Sequence, residues 1–355
     1  MKVNKEELLG ALERVKPGLS SKELIEQSTS FAFLGDRVVT YNDEISISHP
    51  VTGLENMEGA VKAKALYELL ARIKSEEVEI IQEKNQVLIK AGRSKAGLLF
   101  EQEIRLPIEE IGEIGGWRKL PEKFVEALKL CYPCCSNDMS RPILTCINIQ
   151  EDKMEASDSY QIIQYKFPKP HARKDKKDKK EKSLIEKPFL IPASSVRDLI
   201  KYDIQEISIG ENWVHLRTPD DTVFSCRTVE GEFPEVEKFL KGDGDEFTFP
   251  EQTKEALTRA NVFAKKEAEA NTLPAVTVKA HKGELILFSK NEYGWFEEKI
   301  KTEKSANFSF SIGIEFLVAL FYKLKNCKIE SNKIGFSGEN WRHVIAIMSN
   351  EDGDE

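Results

Sequence analysis

The chain has 355 residues, with 52 Lys and Arg against 60 Asp and Glu, a net charge of −8 and 40% hydrophobic residues. This length allows about three domains, each able to bury its own core, and no run of about 18 consecutive apolar residues is present to span a membrane. The few, unevenly spaced cysteines and the lack of a signal-peptide core after Met1 lead us to expect a cytoplasmic protein.

The first third of the chain alternates helical and strand patterns. A helix capped by Asn4 is predicted from apolar residues at helical spacing: Leu8, Leu9, Leu12 and Val15. A three-strand meander follows at Ser30–Phe33, Val38–Tyr41 and Ile45–Ser48, with turns at Gly35-Asp36 and Asn42-Asp43. A second helix over Lys64–Lys74, a hairpin of Val78–Gln82 and Gln86–Lys90, and a strand near Ala96–Gln102 complete this part.

The second third repeats this order. Pro121 opens its first helix, where a missing N–H is harmless. The strands, the second helix and the closing strands are then predicted at Ile143–Gln150, Met154–Ala156, Gln161–Lys166, Ser194–Lys201, Glu206–Ile209, Trp213–Arg217 and Thr222–Thr228.

The final third repeats the order again, with Pro250 in the role of Pro121. Its strands and second helix are predicted at Val276–Ala280, Leu285–Ser289, Phe296–Lys301, Glu315–Leu324, Lys328–Glu330, Lys333–Phe336 and His343–Met348.

The repeat is about 120 residues long, which is the size of a domain and too long for a solenoid repeat. We therefore predict an α+β protein made of three tandem copies of one domain. The glycine-rich stretches Gly112–Gly116 and Lys241–Asp245 indicate the boundaries. The predicted domains are 1–114, 115–243 and 244–355.

Basic residues concentrate on the predicted helices, while hairpins and linkers carry much of the acid. If all helices point the same way, one surface is basic and can hold a phosphate backbone despite the negative net charge. The alternative is that these are ordinary solvated helix faces, because the same helices also carry glutamates such as Glu7 and Glu126.

Several segments, taken with the threefold repeat, carry a resemblance to a known family. These are Val61-Lys62-Ala63-Lys64, Lys90-Ala91-Gly92-Arg93-Ser94-Lys95 and Glu230-Gly231-Glu232-Phe233-Pro234-Glu235. In this order along the whole chain they resemble the bacterial DNA polymerase III β subunit, the sliding clamp. The sequence drift suits a divergent bacterial or bacteriophage member.

The resemblance implies a ring-shaped processivity factor without catalytic activity or cofactor. Two subunits would join head to tail, with helices on the inner face around duplex DNA and antiparallel sheets on the outer face. Short peptide motifs of the DNA polymerase and the clamp loader would bind a pocket on the ring. A homodimer is expected, or a trimer if the ring is built otherwise, with no membrane partner.

The resemblance and the placement of charge together suggest eight DNA-contacting residues. They are Lys22, Lys64, Arg141, Arg14, Arg72, Lys123, Arg197 and Lys201. Lys22 and Lys64 stand where the family has arginines, and Pro142-Ile143 stands where it has a tyrosine pair.

The resemblance also implies a hydrophobic pocket that binds short peptides. The matching residues are Leu144, Ser157, Ser159, Tyr160, Gln161, Ile162, Pro234, Lys238, Phe239, Ile345, Ile347 and Met348. The family's short C-terminus is replaced here by Met348-Ser349-Asn350 and an acidic tail, so a changed peptide preference is expected. The alternative is that some of these are core residues, Leu144 and Ile162 in particular.

Other motifs carry less weight. Cys131, Cys134 and Cys135 invite a zinc interpretation, but only Cys146 lies near, and thiols at a helix end explain them better. No nucleophile motif or phosphate-binding glycine loop is present. The basic tract Arg173–Lys182 is either a solvated insertion or an extra contact for DNA or a partner.

Alternative functions are a clamp for non-replicative DNA machinery, such as phage late transcription or repair, and a three-domain enzyme with an interdomain pocket.

Overall fold

The computed structural model describes residues 1–112, 114–168, 185, 187–264, 274–321 and 326–349. The basic tract at residues 173–182 and the acidic residues 351–355 lie outside these ranges. The chain forms two compact units. The first comprises Met1–Pro133, Cys146–Glu151 and Lys169–Gly231, and the second comprises Cys134–Thr145, Asp152–Pro168 and Glu232–Glu355.

Along the sequence the same order of elements occurs three times: a strand, a helix, four strands, a helix and three strands. We call each occurrence a module. The first module contains β1 (Lys2–Asn4), α1 (Lys5–Val15), β2 (Ser30–Gly35), β3 (Arg37–Tyr41), β4 (Ile45–Pro50), β5 (Met57–Lys62), α2 (Ala63–Arg72), β6 (Glu77–Gln82), β7 (Gln86–Ala91) and β8 (Ser94–Glu101).

The second module contains β9 (Arg118–Lys119), α3 (Phe124–Cys131), β10 (Cys146–Ile149), β11 (Lys153–Ser157), β12 (Gln161–Lys166), β13 (Phe189–Pro192), α4 (Ala193–Leu199), β14 (Glu206–Ile209), β15 (Trp213–Arg217) and β16 (Val223–Arg227). A short helix, α5 (Glu237–Leu240), follows it.

The third module contains β17 (Asp245–Thr248), α6 (Thr253–Ala264), β18 (Ala275–His281), β19 (Glu284–Asn291), β20 (Gly294–Lys301), β21 (Phe308–Gly313), α7 (Ile314–Phe321), β22 (Asn326–Ile329), β23 (Lys333–Ser337) and β24 (Trp341–Ala346). The short strand β25 (Met348–Ser349) pairs with β21. The mixed α+β class and the threefold order confirm the predicted fold class, while the domain boundaries at 114 and 243 stay a prediction.

Two strands of every module have no counterpart among the predicted elements. These are the strand before each first helix (β1, β9 and β17) and the strand that leads directly into each second helix (β5, β13 and β21). In addition, the strand predicted from Ile143 begins only at Cys146, because Pro142–Thr145 form a 3-10 turn that Thr145 closes by donating to the Pro142 carbonyl at 2.7 Å.

A side-chain-capped turn marks the start of the third meander strand in each module. One side-chain oxygen of an Asn or Asp accepts hydrogen bonds from the backbone N–H groups two and three residues later. The three turn residues and their donors are Asn42 (Glu44 and Ile45), Asp158 (Tyr160 and Gln161) and Asn291 (Tyr293 and Gly294). These turns fix Ile45, Gln161 and Gly294 as equivalent positions.

In the first unit, twelve strands form one sheet in the order β1-β6-β7-β8-β5-β2-β3-β4-β16-β15-β14-β9. The sheet passes from the first module to the second where β4 pairs antiparallel with β16, with Ile45 opposite Cys226 and Ser48 opposite Val223. The first module and the part of the second module that lies in this unit are therefore joined by backbone hydrogen bonds.

In the second unit, β11-β12-β24-β23-β22-β17 are neighbours in one sheet and β20-β19-β18-β21-β25 form another. Here β12 pairs antiparallel with β24, with Gln161 opposite Ile345. One apolar core lies within the third module, built from residues of both its helices and of its strands. Among the described helices, none is long and apolar enough to cross a membrane.

Candidate functional site

Seven of the eight predicted DNA-contacting cations lie in the first unit. All seven are exposed: Arg14, Lys22, Lys64, Arg72, Lys123, Arg197 and Lys201. Three of them are ion-paired, namely Arg14 with Asp220 (2.7 Å), Arg72 with Glu68 (3.3 Å) and Lys201 with Asp198 (2.6 Å). A carboxylate at this distance already neutralises much of the charge that a phosphate would meet.

The other four cations of this unit are different. Lys22, Lys64, Lys123 and Arg197 form no ion pair within the described ranges. Lys64 lies in the first turn of α2, and Arg197 lies in the last turn of α4. The structure therefore divides the predicted DNA-contacting set into unpaired and paired cations, a division that the sequence does not contain.

Arg141 lies in the second unit and belongs to a different environment. Its Nη1 donates to Ser159 Oγ at 2.9 Å, which ties the loop before β10 to the capped turn before β12. Both residues are exposed. Because a guanidinium has five N–H donors, Arg141 keeps donors for an anion while it supports this turn.

The turn from Ser157 to Gln161 is held by its own hydrogen bonds. Asp158 Oδ2 accepts from Gln161 Nε2 at 2.8 Å, and Ser157 Oγ donates to the Gln161 carbonyl at 2.8 Å. Gln161 Oε1 also lies 2.9 Å from His343 Nε2. Ser157 and Gln161 are buried, so these two predicted pocket residues support the turn instead of facing solvent.

The pairing of β12 with β24 decides which predicted pocket residues share a face. Ile162 lies opposite Val344, and the Ala346 N–H donates to the Tyr160 carbonyl at 2.8 Å. Successive side chains alternate between the two faces of a strand. Ile162, Val344 and Ala346 therefore share one face, which we call the β12–β24 patch.

The same alternation puts Ile345 on the opposite face. Ile345 is 0% exposed and Ile347 is 8% exposed, and both belong to the core of the third module. A bound peptide cannot reach a side chain with no exposed surface. Arg342, Val344 and Ala346 are the residues of β24 on the accessible face. None of them was named from the sequence, because the register of β12 on β24 cannot be read from the chain.

The helix α5 crosses this face and is fixed at two points. Gln164 Nε2 donates to Glu237 Oε2 at 2.7 Å, and this hydrogen bond lowers the pKa of Glu237, with Lys166 contributing. At the other end, Lys333 Nζ donates to the carbonyls of Phe239 (3.2 Å) and Lys241 (2.6 Å). The helix is thereby anchored on β12 by Gln164 and on β23 by Lys333.

Two exposed aromatic side chains, Tyr160 and Phe239, flank the patch. Tyr160 is 50% exposed, with its ring 6.5 Å from that of Phe316, and Phe239 is 48% exposed with Lys238 Nζ 5.0 Å from its ring. Met348 and Pro234 are also exposed, and Leu144 is half-buried. Partly exposed apolar groups beside a sheet face are typical of peptide-binding surfaces.

Cys131 is the last residue of α3, and Cys134 and Cys135 follow within four residues. Over the ranges that the structure describes, no group of three or more His, Cys, Asp or Glu side chains could hold a metal ion. All six cysteines are buried thiols.

Comparison of the whole chain with solved structures identifies the fold. The DNA polymerase III beta chain of Streptococcus pneumoniae superimposes with a TM-score of 0.82 over 98% of this chain and 99% of that chain, at 19% sequence identity. This chain has the sliding-clamp fold.

Two further solved structures share this fold. The sliding clamp of Pseudomonas aeruginosa bound to griselimycin matches with a TM-score of 0.82, 15% identity and 98% of each chain. The clamp of Bacillus subtilis matches with a TM-score of 0.78, 17% identity and 99% of each chain. No family model and no curated protein sequence matches the chain. The sliding-clamp fold thus extends over nearly the whole chain at low sequence identity.

Proposed function

We propose that this protein is a DNA sliding clamp, a non-catalytic ring of identical chains that encircles duplex DNA and tethers a DNA polymerase through its β12–β24 patch. The observation that carries this proposal is one kind of strand pairing between modules, which occurs twice in the chain. The last strand of a module pairs with the third meander strand of the preceding module: β16 pairs with β4, and β24 pairs with β12.

A third pairing of the same kind requires a second copy of the chain. The third meander strand of the last module, β20, is an edge strand of its sheet. The last strand of the first module, β8, has no preceding module in its own chain. It pairs with β7 on one side, and on the other side β5 pairs only with its last two residues, Phe100 and Glu101. Among the described strands, the second side of Ser94–Leu99 therefore has no partner. Head-to-tail pairing of β8 from one copy with β20 of the next would continue the series and cover the exposed edge of β20.

The internal junctions also predict the register of this pairing. The hairpins before the last strands place Leu99, Arg227 and Ala346 at equivalent positions, opposite Gln86, Trp213 and Lys333. In both internal junctions the N–H at this position donates to the carbonyl just before the third meander strand, from Arg227 to Glu44 and from Ala346 to Tyr160. The intermolecular equivalent is a hydrogen bond from the Leu99 N–H to the Tyr293 carbonyl.

The side chains that this register brings together are complementary. Leu99 and Tyr293 are 67% and 70% exposed in the single chain and would cover each other. Four residues before Leu99, Lys95 would lie directly opposite Glu297. Trp295, which is 64% exposed, would lie opposite Gly97, where no side chain opposes the indole.

The four unpaired cations of the first unit support contact with the duplex. Lys22, Lys64, Lys123 and Arg197 are exposed single charges rather than a deep cationic cleft. In a chain with a net charge of −8, such contacts suffice to attract phosphates but not to grip them. A ring that is retained by enclosure needs contacts of this kind, because tight binding would oppose sliding.

A charge exchange across the proposed junction tests the assembly. Lys95→Glu and Glu297→Lys are each expected to shift the chain from dimer, or trimer, to monomer in native mass spectrometry. The double variant should restore the oligomer, because the two charges again oppose each other with opposite sign. Lys279→Gln, elsewhere in the same sheet as β20, serves as the control. A strictly monomeric wild-type chain at micromolar concentration would refute the ring.

A further inference from the structure

A groove lies on the accessible face of β22, β23 and β24, beside the segment that follows α5. It has a volume of about 380 Å³. Leu240–Asp243 form one wall, and Lys328, Gly335, Arg342 and Val344 are among the residues of the sheet side. We call this feature the cationic groove.

Lys333 lines the groove, but its ammonium group is already bound by other groups of the protein. Its Nζ donates to the carbonyls of Phe239 in α5 and of Lys241 just after α5, and it lies 3.2 Å from Glu330 Oε2. Both side chains of this ion pair are mostly buried. Lys333 and Glu330 therefore hold the wall of the groove against the sheet and cancel each other's charge.

Three other cations line the groove without an ion pair in the described ranges. Lys241, Lys328 and Arg342 are exposed, against the single remaining lining carboxylate of Asp243. Two further acids border the groove. Glu246 lies opposite Lys328 in the pairing of β17 with β22, and Glu237 accepts from Gln164, which lies opposite Arg342. An excess of positive charge in a cleft of a negatively charged protein attracts anionic segments more strongly than the same cations on an open surface.

The groove is continuous with the β12–β24 patch. One row of neighbouring residues crosses the sheet: Lys328 is opposite Gly335, Gly335 is opposite Val344, and Val344 is opposite Ile162. Neighbouring strands lie about 4.8 Å apart. Val344 belongs to both features, so a short extended peptide can reach from the patch to Lys328.

We propose that the cationic groove binds the acidic part of a partner peptide whose apolar residues occupy the β12–β24 patch. This inference rests on the proposed peptide-binding function of the patch and names the chemistry of its partners: apolar anchors joined to carboxylates. Gly335 forms the open floor between the two parts. A Cβ there would meet only Lys328 O and Val344 Cγ2, both at 3.9 Å, so the floor has room for a side chain.

Selection from a random dodecapeptide display library on the immobilised full-length chain tests the proposal. Peptides selected on the wild type should combine apolar residues with Asp or Glu. Peptides selected on the triple variant Lys241→Gln/Lys328→Gln/Arg342→Gln should no longer be enriched in acidic residues but should retain the apolar ones. The matched control Lys279→Gln/Lys282→Gln/Lys304→Gln removes the same charge elsewhere and should select the same peptides as the wild type.

Affinity measurements on a selected peptide complete the test. Replacing its carboxylates with amides should weaken binding to the wild type by about tenfold at low salt, and by much less to the triple groove variant. Gly335→Val keeps every charge but fills the floor, and should weaken the acidic peptide as well. Valine is well tolerated in a strand, so the fold should remain intact.

The negative results of these experiments distinguish the groove inference from the proposed peptide-binding function. Apolar peptides without enriched carboxylates would overturn the groove inference and leave the peptide-binding patch standing. Displacement of selected peptides by a single-stranded oligonucleotide, but not by poly-glutamate, would assign the groove to nucleic acid and also overturn it. If no peptide is enriched at all, both the inference and the proposed peptide-binding function fail.

Discussion

Arg37 and Asp221 join the first module to the second through two hydrogen bonds. Arg37 Nη1 donates to Asp221 Oδ2 at 2.8 Å, and Nη2 donates to the Asp221 carbonyl at 2.6 Å. The pair lies beside the strand junction of β4 with β16, which joins the two modules by backbone pairing. The guanidinium therefore reinforces this junction from the side.

Removing this guanidinium should weaken the first unit slightly. Arg37→Gln is expected to lower the free energy of unfolding by about 1 kcal/mol, because the pair is only partly buried and solvent screens it. Urea unfolding of the full chain measures the difference. Arg93→Gln, outside the junction, is the control. An unchanged denaturation midpoint would mean that strand pairing alone holds the junction.

His215 predicts a loss of stability in mild acid. Its side chain is 0% exposed in β15, and burial lowers its pKa to about 4 from the ordinary 6.5. The unfolded chain therefore takes up a proton below about pH 6.5, while the folded chain does not until about pH 4. Stability is fully present above the higher value and falls with pH between the two, by about 2 kcal/mol at pH 5.

Urea unfolding at pH 7.5 and pH 5 tests this effect. His215→Gln should reduce the stability difference between the two pH values, whatever its effect at pH 7.5. Part of the difference should remain, because burial also lowers the pKa of His49. The exposed His281→Gln is the control. Equal pH dependence in wild type and His215→Gln would contradict this assignment.

The division of the cations into paired and unpaired sets predicts their effect on DNA binding. Replacing Lys22, Lys64, Lys123 and Arg197 with Gln should reduce the slope of log affinity against log salt by about 0.9 per residue. Arg14, Arg72 and Lys201 should contribute less per residue, since carboxylates already neutralise them. Fluorescence anisotropy with a linear duplex at low salt gives both slopes, and equal slopes per residue would invalidate the division.

The register of β12 on β24 predicts opposite effects for neighbouring residues. Ile345→Ala should cost about 2–5 kcal/mol of stability, because it opens a cavity in the core. Val344→Asp should leave the fold close to wild-type stability and abolish binding of peptides selected on the wild-type chain. Urea unfolding and peptide affinity separate the two effects. A stable Ile345→Ala variant that loses peptide binding would reverse the assignment of faces.

The elements predicted correctly from the sequence are those with local signals. The helices around Leu8 and Leu66 have apolar residues at helical spacing, and the turn at Asn42 has the side chain that caps it. Both kinds of signal depend on residues a few positions apart, so they can be read without knowing the tertiary structure.

The strands that were not predicted and the placement of Ile345 depend instead on distant partners. Strand β5 pairs with β2, and β17 pairs with β22 some 80 residues later. Ile345 faces the core only because it lies opposite Gln161. The ion pair of Arg14 with Asp220 likewise joins residues that are far apart in the chain. A single sequence carries no signal for such pairings, so these features had to come from the structure.

Covalent closure on DNA tests the central claim that copies of this chain enclose a duplex. The variant Lys95→Cys/Glu297→Cys places two thiols opposite each other in the proposed intermolecular register. After oxidation with a nicked circular plasmid, the account predicts cross-linked protein that stays with the circle in SDS and is released when one restriction cut linearises it. Absence of a cross-link between copies, or equal retention on circular and linear DNA, would contradict the account.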